Sequence, residues 1–404
     1  MKTEDMHTED HDHNHGEEII EINLEDLSPE EAEEMLLELQ EKEEMYKKEM
    51  EDRINMLGTT LQRKADDQVA LKQVIETRWL DDVRQYNGRY DNATESQIKN
   101  RKGSTVFANI TRHKADSAEA RLADMLFPTD DKNWGIQPTP VPELQDMKRT
   151  GGNAIGPDGT EVDVASEATR LMEEAARRAK AMENEIDDQL NECDYNSEGR
   201  DVIHDAVLYG TGILKGPVIE GRYKKSWQNS EGSHALEVVQ EIAPCARRVS
   251  PWDWFPDMSA TRLDEAEFQF ERHYFTRNEL SNIARLPGFN EDAIREVLRS
   301  DGGKRRNSAN TYMSQLREIS GYSADLSSDN RYEVWEYHGP IDRGDLEASG
   351  LDCCEDELDT ITGTVWFCDA KVLKVSLNPL ATQEMPYSIF CFSDDDSSIF
   401  GVGV

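Results

Sequence analysis

Apolar residues recur at steps of three and four along residues 61 to 90, where Leu71, Val74, Ile75, Trp79, Leu80, Val83 and Tyr86 fall on one face of a helix that stops at Asn87-Gly88. The same period returns in "STVFANITRHKADSAEARLADMLFP" through Phe107, Ile110, Ala118, Leu122, Met125 and Leu126, up to Pro128. It returns again over 165 to 195 through Leu171, Ala175, Ala179, Met182, Ile186 and Leu190, and "EGRDVIHDAVLY" adds a helix closed by Gly210. A chain that spends so much of its apolar content at helical spacing cannot be all-β. Beyond residue 212 the signal changes. From "GILKGPVI" to "VSPWDWFPD" short β-branched runs are broken by Pro and Gly, two short capped helices follow ("TRNELSNIAR", "NEDAIREVLRS"), and 301 to 330 reads as a loop. "RYEVWEYHGP" then alternates through Tyr332, Val334, Trp335 and Tyr337, and "GTVWFCDAKVLKVSLNP" and "MPYSIFCFS" supply further strands. Helices, strands, small helices and strands in that order, without βαβ alternation, predict an α+β fold.

Charge divides the chain further. The net charge is −38, and residues 1 to 50 alone hold nineteen acidic against four basic residues. Residues 1–18 read as a disordered acidic, His-rich tail. Residues 19–58 read as an acidic helical segment, with Ser28 as cap, Pro29 in the first turn and Glu31 completing the cap. Residues 60–215 form a mainly helical region, and 216–404 a strand-rich region with small helices. "NWGIQPTPVPEL" reads as extended chain and "GGNAIGPDGTEVDVAS" as a surface insertion. So acidic a surface repels phosphate at long range, which excludes a general nucleic-acid binder. No run of about 18 apolar residues is present, and "MKTEDMHTED" lacks the regions of a signal peptide. Six scattered cysteines, with the one close pair adjacent, suit free thiols better than a zinc knuckle.

Several stretches invite a chemical reading. His7, His11, His13 and His15 lie among carboxylates and have the donor types for Zn or Ni, but a solvated tail lacks preorganised geometry. Asp394, Asp395 and Asp396 have the donors for Mg, as in a Mg-dependent nuclease or phosphotransferase. Neighbouring strand residues point to opposite faces, however, so a polar turn is the plainer expectation. "FGVGV" lacks the third glycine and the helix of a dinucleotide loop, and "YGTG" follows a helix and reads as its cap. Trp252, Trp254 and Phe255 in "SPWDWFPD" suit either a stacking platform or a buried corner, and the corner is expected. The strip Lys99, Arg101, Lys102, Arg112, His113 and Lys114 is basic in an acidic chain, and suits phosphate, an acidic neighbouring subunit or plain solvation. The acidic segment itself suits a scaffold or adaptor that binds a basic partner.

The stretches "ETRWLDDVRQYNGRY", "FANITRHKADSAEARLADMLFP", "NWGIQPTPVPEL", "VLYGTGILKGP", "VSPWDWFPD" and "EMPYSIFCFSDDDSSIFGVG" together resemble the portal, or head-to-tail connector, proteins of short-tailed bacteriophages, over roughly residues 65 to 404. The resemblance implies a wing-like α+β region that stops before the stem and clip, so the chain is expected to be a part of such a protein. It further implies a dodecameric ring at one capsid vertex, through which double-stranded DNA passes without sequence specificity. The implied partners are the major capsid protein, terminase and tail adaptor, in the virion and the host cytoplasm. No catalytic residue, metal or cofactor is implied. The residues expected to matter are structural: Trp79 and Tyr86 in the first helix, Trp252 and Trp254 at the strand corner, and Phe400, Gly401 and Gly403 at the end of the sequence.

Overall fold

The computed structural model describes residues 29–128, 132, 134–155, 161–230, 233–300, 310–321, 331–351, 359–380 and 382–404. The expected tail with its four histidines, the cap at Ser28 and the cysteine pair 353–354 lie outside the described residues. The fold is α+β. By internal contacts the chain divides into two units, Met1–Arg53 and Ile54–Val404. The expected break near 58 to 60 is absent as a feature of secondary structure, because a single helix, α1, runs Pro29–Tyr86. Gly58 lies inside this helix for a packing reason: a Cβ there would sit 2.1 Å from the Ala370 carbonyl oxygen.

Four helices follow α1 and its end at Gly88: α2 (Asn92–Asn100), α3 (Ile110–Leu126), α4 (Pro142–Thr150) and, after the two-stranded β1–β2 ribbon (Asn153–Ile155, Glu161–Asp163), α5 (Val164–Glu192). Asp91, Asn109 and Asp163 cap α2, α3 and α5 by accepting backbone N–H groups of the first turn. Helix α6 (Tyr195–Tyr209) ends as its sequence predicts, with Gly210 at φ 91° donating its N–H to the Ala206 carbonyl. The chain then enters β3 (Thr211–Ser230), which pairs with β4 (Ser233–Val249) from Ile213↔Val249 to Ser230↔Ser233. The short broken runs expected here are therefore one long hairpin. Pro217 fails to divide it because the ladder absorbs it at an irregularity between Lys215 and Val218, while Pro244 keeps its place in the register opposite Ile219.

A five-stranded antiparallel sheet forms the second layer. Its order is β5 (Trp254–Pro256), β6 (Gln269–Phe275), β7 (Tyr332–Asp342), β8 (Thr360–Cys368) and β9 (Lys371–Leu377). Helices α7 (Arg277–Ile283) and α8 (Glu291–Arg299) interrupt it, each capped as expected, by Thr276 and Asn290. The stretch read as a loop contains helix α9 (Asn310–Ser320), whose Tyr312 ring stacks on Trp252 at 5.0 Å. Polar composition hid it, since its apolar contacts are few and aimed at one distant corner. After the short helix α10 (Arg343–Ala348), β8 and β9, strand β10 (Tyr387–Cys391) leaves this sheet and pairs with β3.

β7 is buried on both sides, which explains why its alternation is imperfect. Trp335 and Tyr337 join Leu61 and Ala65 of α1, Phe270 and Phe367 in one core, while Tyr332 and Val334 meet Leu280, Ile294 and Val297 of α7 and α8 in another. The inward seam of α1 keeps Ile75, Trp79, Leu80, Val83 and Tyr86 of the face that apolar spacing predicts but departs from it nearer the start of that stretch. Leu71 and Val74 are 57% and 79% exposed, whereas Leu61, Ala65, Gln68, Lys72, Trp79 and Val83 are buried. Two polar residues in the seam disguised it.

Replacing Trp79 by Ala should therefore lower unfolding free energy by ~3–5 kcal/mol in urea denaturation, and Val74→Ala by less than about 0.5 kcal/mol. Equal losses would put the seam back on the face that the spacing suggested.

Candidate functional site

Two constellations stand out, one aromatic and one ionic. In the aromatic one, the Trp79 indole lies 5.1 Å from Trp252 and 5.3 Å from Phe400, and Trp254 lies 5.6 Å from Phe400. These edge-on arrangements suit the ring quadrupole. The Trp79 indole N–H donates to the Tyr209 carbonyl at 2.8 Å. Sequence-predicted residues more than 300 positions apart thus meet in one core. Trp252 and Trp254 are 2% and 0% exposed, so they plug a corner and offer no stacking platform.

Gly401 is closely packed in this junction. A Cβ there would fall 2.6 Å from the Ser393 carbonyl oxygen and 2.7 Å from that of Gly210. Its N–H is held by Thr211 Oγ1 at 2.8 Å, and its carbonyl by the Arg78 guanidinium at 2.8 Å. Gly403 packs likewise over the Val207 and Leu208 carbonyls, and Val404 donates to Val207. The Phe-Gly-Val-Gly run is thus a close-packed strap across the end of α6. Tyr86 belongs to a different cluster, half-buried beside α3, with its hydroxyl donating to Asp116 at 2.8 Å.

The three consecutive aspartates form a turn. Asp395 accepts from the Ser397 N–H at 3.0 Å and its hydroxyl at 2.7 Å, and faces Arg78 at 4.0 Å. These hydrogen bonds hold the Asp395 carboxyl below its ordinary pKa. Among the described residues, the set of acidic and imidazole side chains that converges is a different one, Glu271, His273 and Glu336.

That ionic set was missed by sequence reasoning, because its members lie on two strands, β6 and β7, far apart in the chain. Glu271 and Glu336 stand opposite each other in the β6–β7 ladder, and Lys215 reaches across from β3. The Lys215 ammonium donates to Glu271 at 2.7 Å and to Glu336 at 2.5 Å. His273 Nε2 lies 2.9 Å from one Glu336 oxygen and His338 Nε2 2.9 Å from the other, while the Tyr387 hydroxyl donates to Glu271 at 2.8 Å. Thr364 meets the far side of His338 at 3.1 Å, and Trp366 covers the His273 ring at 5.0 Å.

Burial opposes charge on every member, so the cluster stands or falls as a network. Against that penalty, Lys215 and the imidazoles hold Glu336 well below the carboxylate range, and the carboxylates hold Lys215 and His273 above their ordinary values. Burial and the two carboxylates push the Tyr387 phenol well up. The depressed carboxyl contributes stability that is lost as pH falls below about 4.5; the raised imidazole contributes stability that is lost as pH rises above about 6.5. Glu271, His273 and Glu336 have the donor set for a divalent cation, but the Lys215 ammonium already bridges the two carboxylates. The arrangement clamps the three-stranded sheet onto the five-stranded one.

A second buried cation, Lys72, has no such counterion at hydrogen-bond distance. Its ammonium donates to the carbonyls of Pro251 at 2.5 Å and Trp254 at 2.7 Å, with Glu76 3.9 Å away and the Phe255 ring 4.0 Å beneath. Burial pushes its pKa down to about 7.

No family model matches the chain, and no curated protein matches it. Among the described residues no helix is long and apolar enough to cross a membrane.

Lys215→Ala strands two buried carboxylates and should cost ~3–5 kcal/mol by chemical denaturation. A loss under about 1 kcal/mol would mean that solvent reaches the cluster. For Lys72, the unfolded side chain keeps its ordinary value of 10.5 while the folded one sits at about 7, so the unfolded chain binds the extra proton between them. Stability should rise with pH across that window by up to about 5 kcal/mol more in the native protein than in Lys72→Met. Parallel pH profiles for the two proteins would place Lys72 in contact with water.

Proposed function

We propose that the chain is a structural subunit of a portal ring at a capsid vertex, a conduit for double-stranded DNA with no chemistry of its own. The observation that carries this reading is the aromatic junction. Four of the six stretches that resemble portal proteins meet there as packing, with Trp79, Tyr209, Trp252, Trp254 and Phe400 interlocked and buried. Residues recognisable for their packing suit a protein whose task is to hold a shape.

Two further features agree. Helices α1, α3 and α5 keep large apolar side chains at the surface, among them Leu71, Val74, Ile110, Met125 and Met182, more than a solitary subunit has reason to expose. Heterologous contacts that close on themselves would cover such faces in a ring. The net charge of −38 would keep passing DNA from adhering, since few counterions are released on contact. Capsid protein, terminase and tail adaptor are the partners that this reading entails.

Mass photometry and negative-stain microscopy of the protein from its complete reading frame should give closed rings of about a dozen copies. A persistent monomer at micromolar concentration would overturn the proposal. The ring should also pass through a phosphocellulose column unretained at physiological salt, and retention would remove the sliding argument.

A further inference from the structure

An acidic segment of α1 and the basic strip at 99 to 114 are complementary. From Leu37 to Glu49 every side chain of α1 is exposed. Residues 29 to 53 carry eleven acidic against four basic residues. Glu38, Glu41 and Glu44 follow one another at steps of three, a spacing at which like charges repel along a helix. Leu37, Leu39, Met45 and Tyr46 are 55–66% exposed beside them. Lys47 pairs with Glu43 at 2.7 Å, and Lys42 and Lys48 offset part of the remaining charge. An acidic excess persists beside exposed apolar side chains, and such a surface suits a cationic partner with some apolar area of its own.

Residues 99 to 114 have that character. They hold five Lys and Arg with His113 and no acidic residue. Lys99 is paired with Glu95 at 2.6 Å and Arg112 faces Asp116 at 3.7 Å. Arg101, Lys102 and Lys114 are exposed and have no ion-pair partner among the described residues. Val106 and Ile110, 81% and 63% exposed, supply the apolar area between them.

We propose that the acidic segment of α1 in one copy docks on the 99–114 strip of the next copy. Two different, mutually complementary patches on one chain make a heterologous contact, the kind that propagates from subunit to subunit and can close into a ring. The inference names the contact surface for the assembly proposed above, and rests on that reading only for the closure of the ring. Charge at such a rim sets the encounter rate and salt sensitivity, while the apolar residues hold the register.

The test uses the full chain and two charge-reversed variants. One carries Glu38→Lys, Glu41→Lys and Glu44→Lys; the other carries Arg101→Glu, Lys102→Glu and Lys114→Glu. All six positions are exposed, so both variants should fold, which circular dichroism checks. In sedimentation velocity the native chain should associate, with Kd rising at least about tenfold between low and high salt. Each variant alone should lose association, and an equimolar mixture of the two should regain it, because each then offers the other a complementary patch. Variants that assemble like the native protein would overturn the inference while leaving the ring intact. A mixture that fails to recover would overturn it too, as would a native chain that stays monomeric because the two patches pair within one molecule. A salt-sensitive complex that recovers on mixing but never closes would uphold the docking contact and sink the portal reading. Retention of short duplex DNA by the native strip, lost in its reversed variant while subunit association persists, would assign the strip to phosphate instead.

Discussion

The indole of Trp79 is the point on which the larger unit hangs. Its N–H is committed to the last carbonyl of α6, its faces and edges to Trp252, Tyr209 and Phe400, and its own helix carries it there. One side chain thus ties the first helix, the exit of α6, the corner before the five-stranded sheet and the end of the sequence into a single core. Burying a ring of this size supplies apolar area, and the hydrogen bond to the Tyr209 carbonyl sets its register. The strap at Gly401 depends on that register. It lies against the Gly210 carbonyl with no room for a side chain, and Arg78, one residue before Trp79, fixes its carbonyl.

The two buried lysines illustrate different solutions to one electrostatic problem. Lys215 sits between two carboxylates whose attraction outweighs burial, and it joins two sheets beside the packing of Tyr387 on Trp254 and His338. Lys72 is held by carbonyl dipoles and ring faces, which are weaker than a carboxylate, and burial wins. The first is ionised across the ordinary pH range; the second is poised near neutrality. In a chain with so many acidic residues the scarce cations are informative. Where they go inside marks the joints of the fold, and where they stay outside as a group, at 99 to 114, marks a surface.

The helices were legible where apolar period and caps agreed. Thr276 and Asn290 start their helices as read, and Gly210 ends α6 as read. The residues that would anchor the core were legible too, because aromatics flanked by Pro and Gly in an otherwise polar chain have few other uses. What was not legible required knowledge of distant strands. The true inward seam of α1 passes through Gln68 and Lys72, which look like surface residues until Pro251 and Trp254 present their carbonyls. Glu271 and Glu336 look like the solvent face of alternating strands until β3 lays Lys215 over them. Three charged or imidazole residues on the same face of paired strands, in a strand also flanked by aromatics on its other face, were the available signal. Helix α9 was lost for the converse reason, since its composition is polar and its docking rests on three side chains, Tyr312, Leu316 and Ile319.

This division has a consequence for function. Stretches that resemble another protein do so because close packing restricts what can stand at each position, and at the aromatic junction nearly every neighbour is restricted. Exposed surfaces carry no such restriction. A partner-binding face can be rebuilt from any residues with suitable charge and apolar area, and it leaves no motif. The first half of α1 and the residues just after α2 lie outside the stretches that carry the resemblance, and it is there that contacts specific to this chain have freedom to arise. Their opposite charges, −7 in formal terms over residues 29 to 53 (eleven acidic, four basic) and +5 over residues 99 to 114, are too local to follow from average composition. At ordinary ionic strength such patches feel each other only within about 8–10 Å, so they govern contact and not the solubility of the whole. The core specifies a shape that can be repeated, and the charge pattern specifies which faces of the repeats meet.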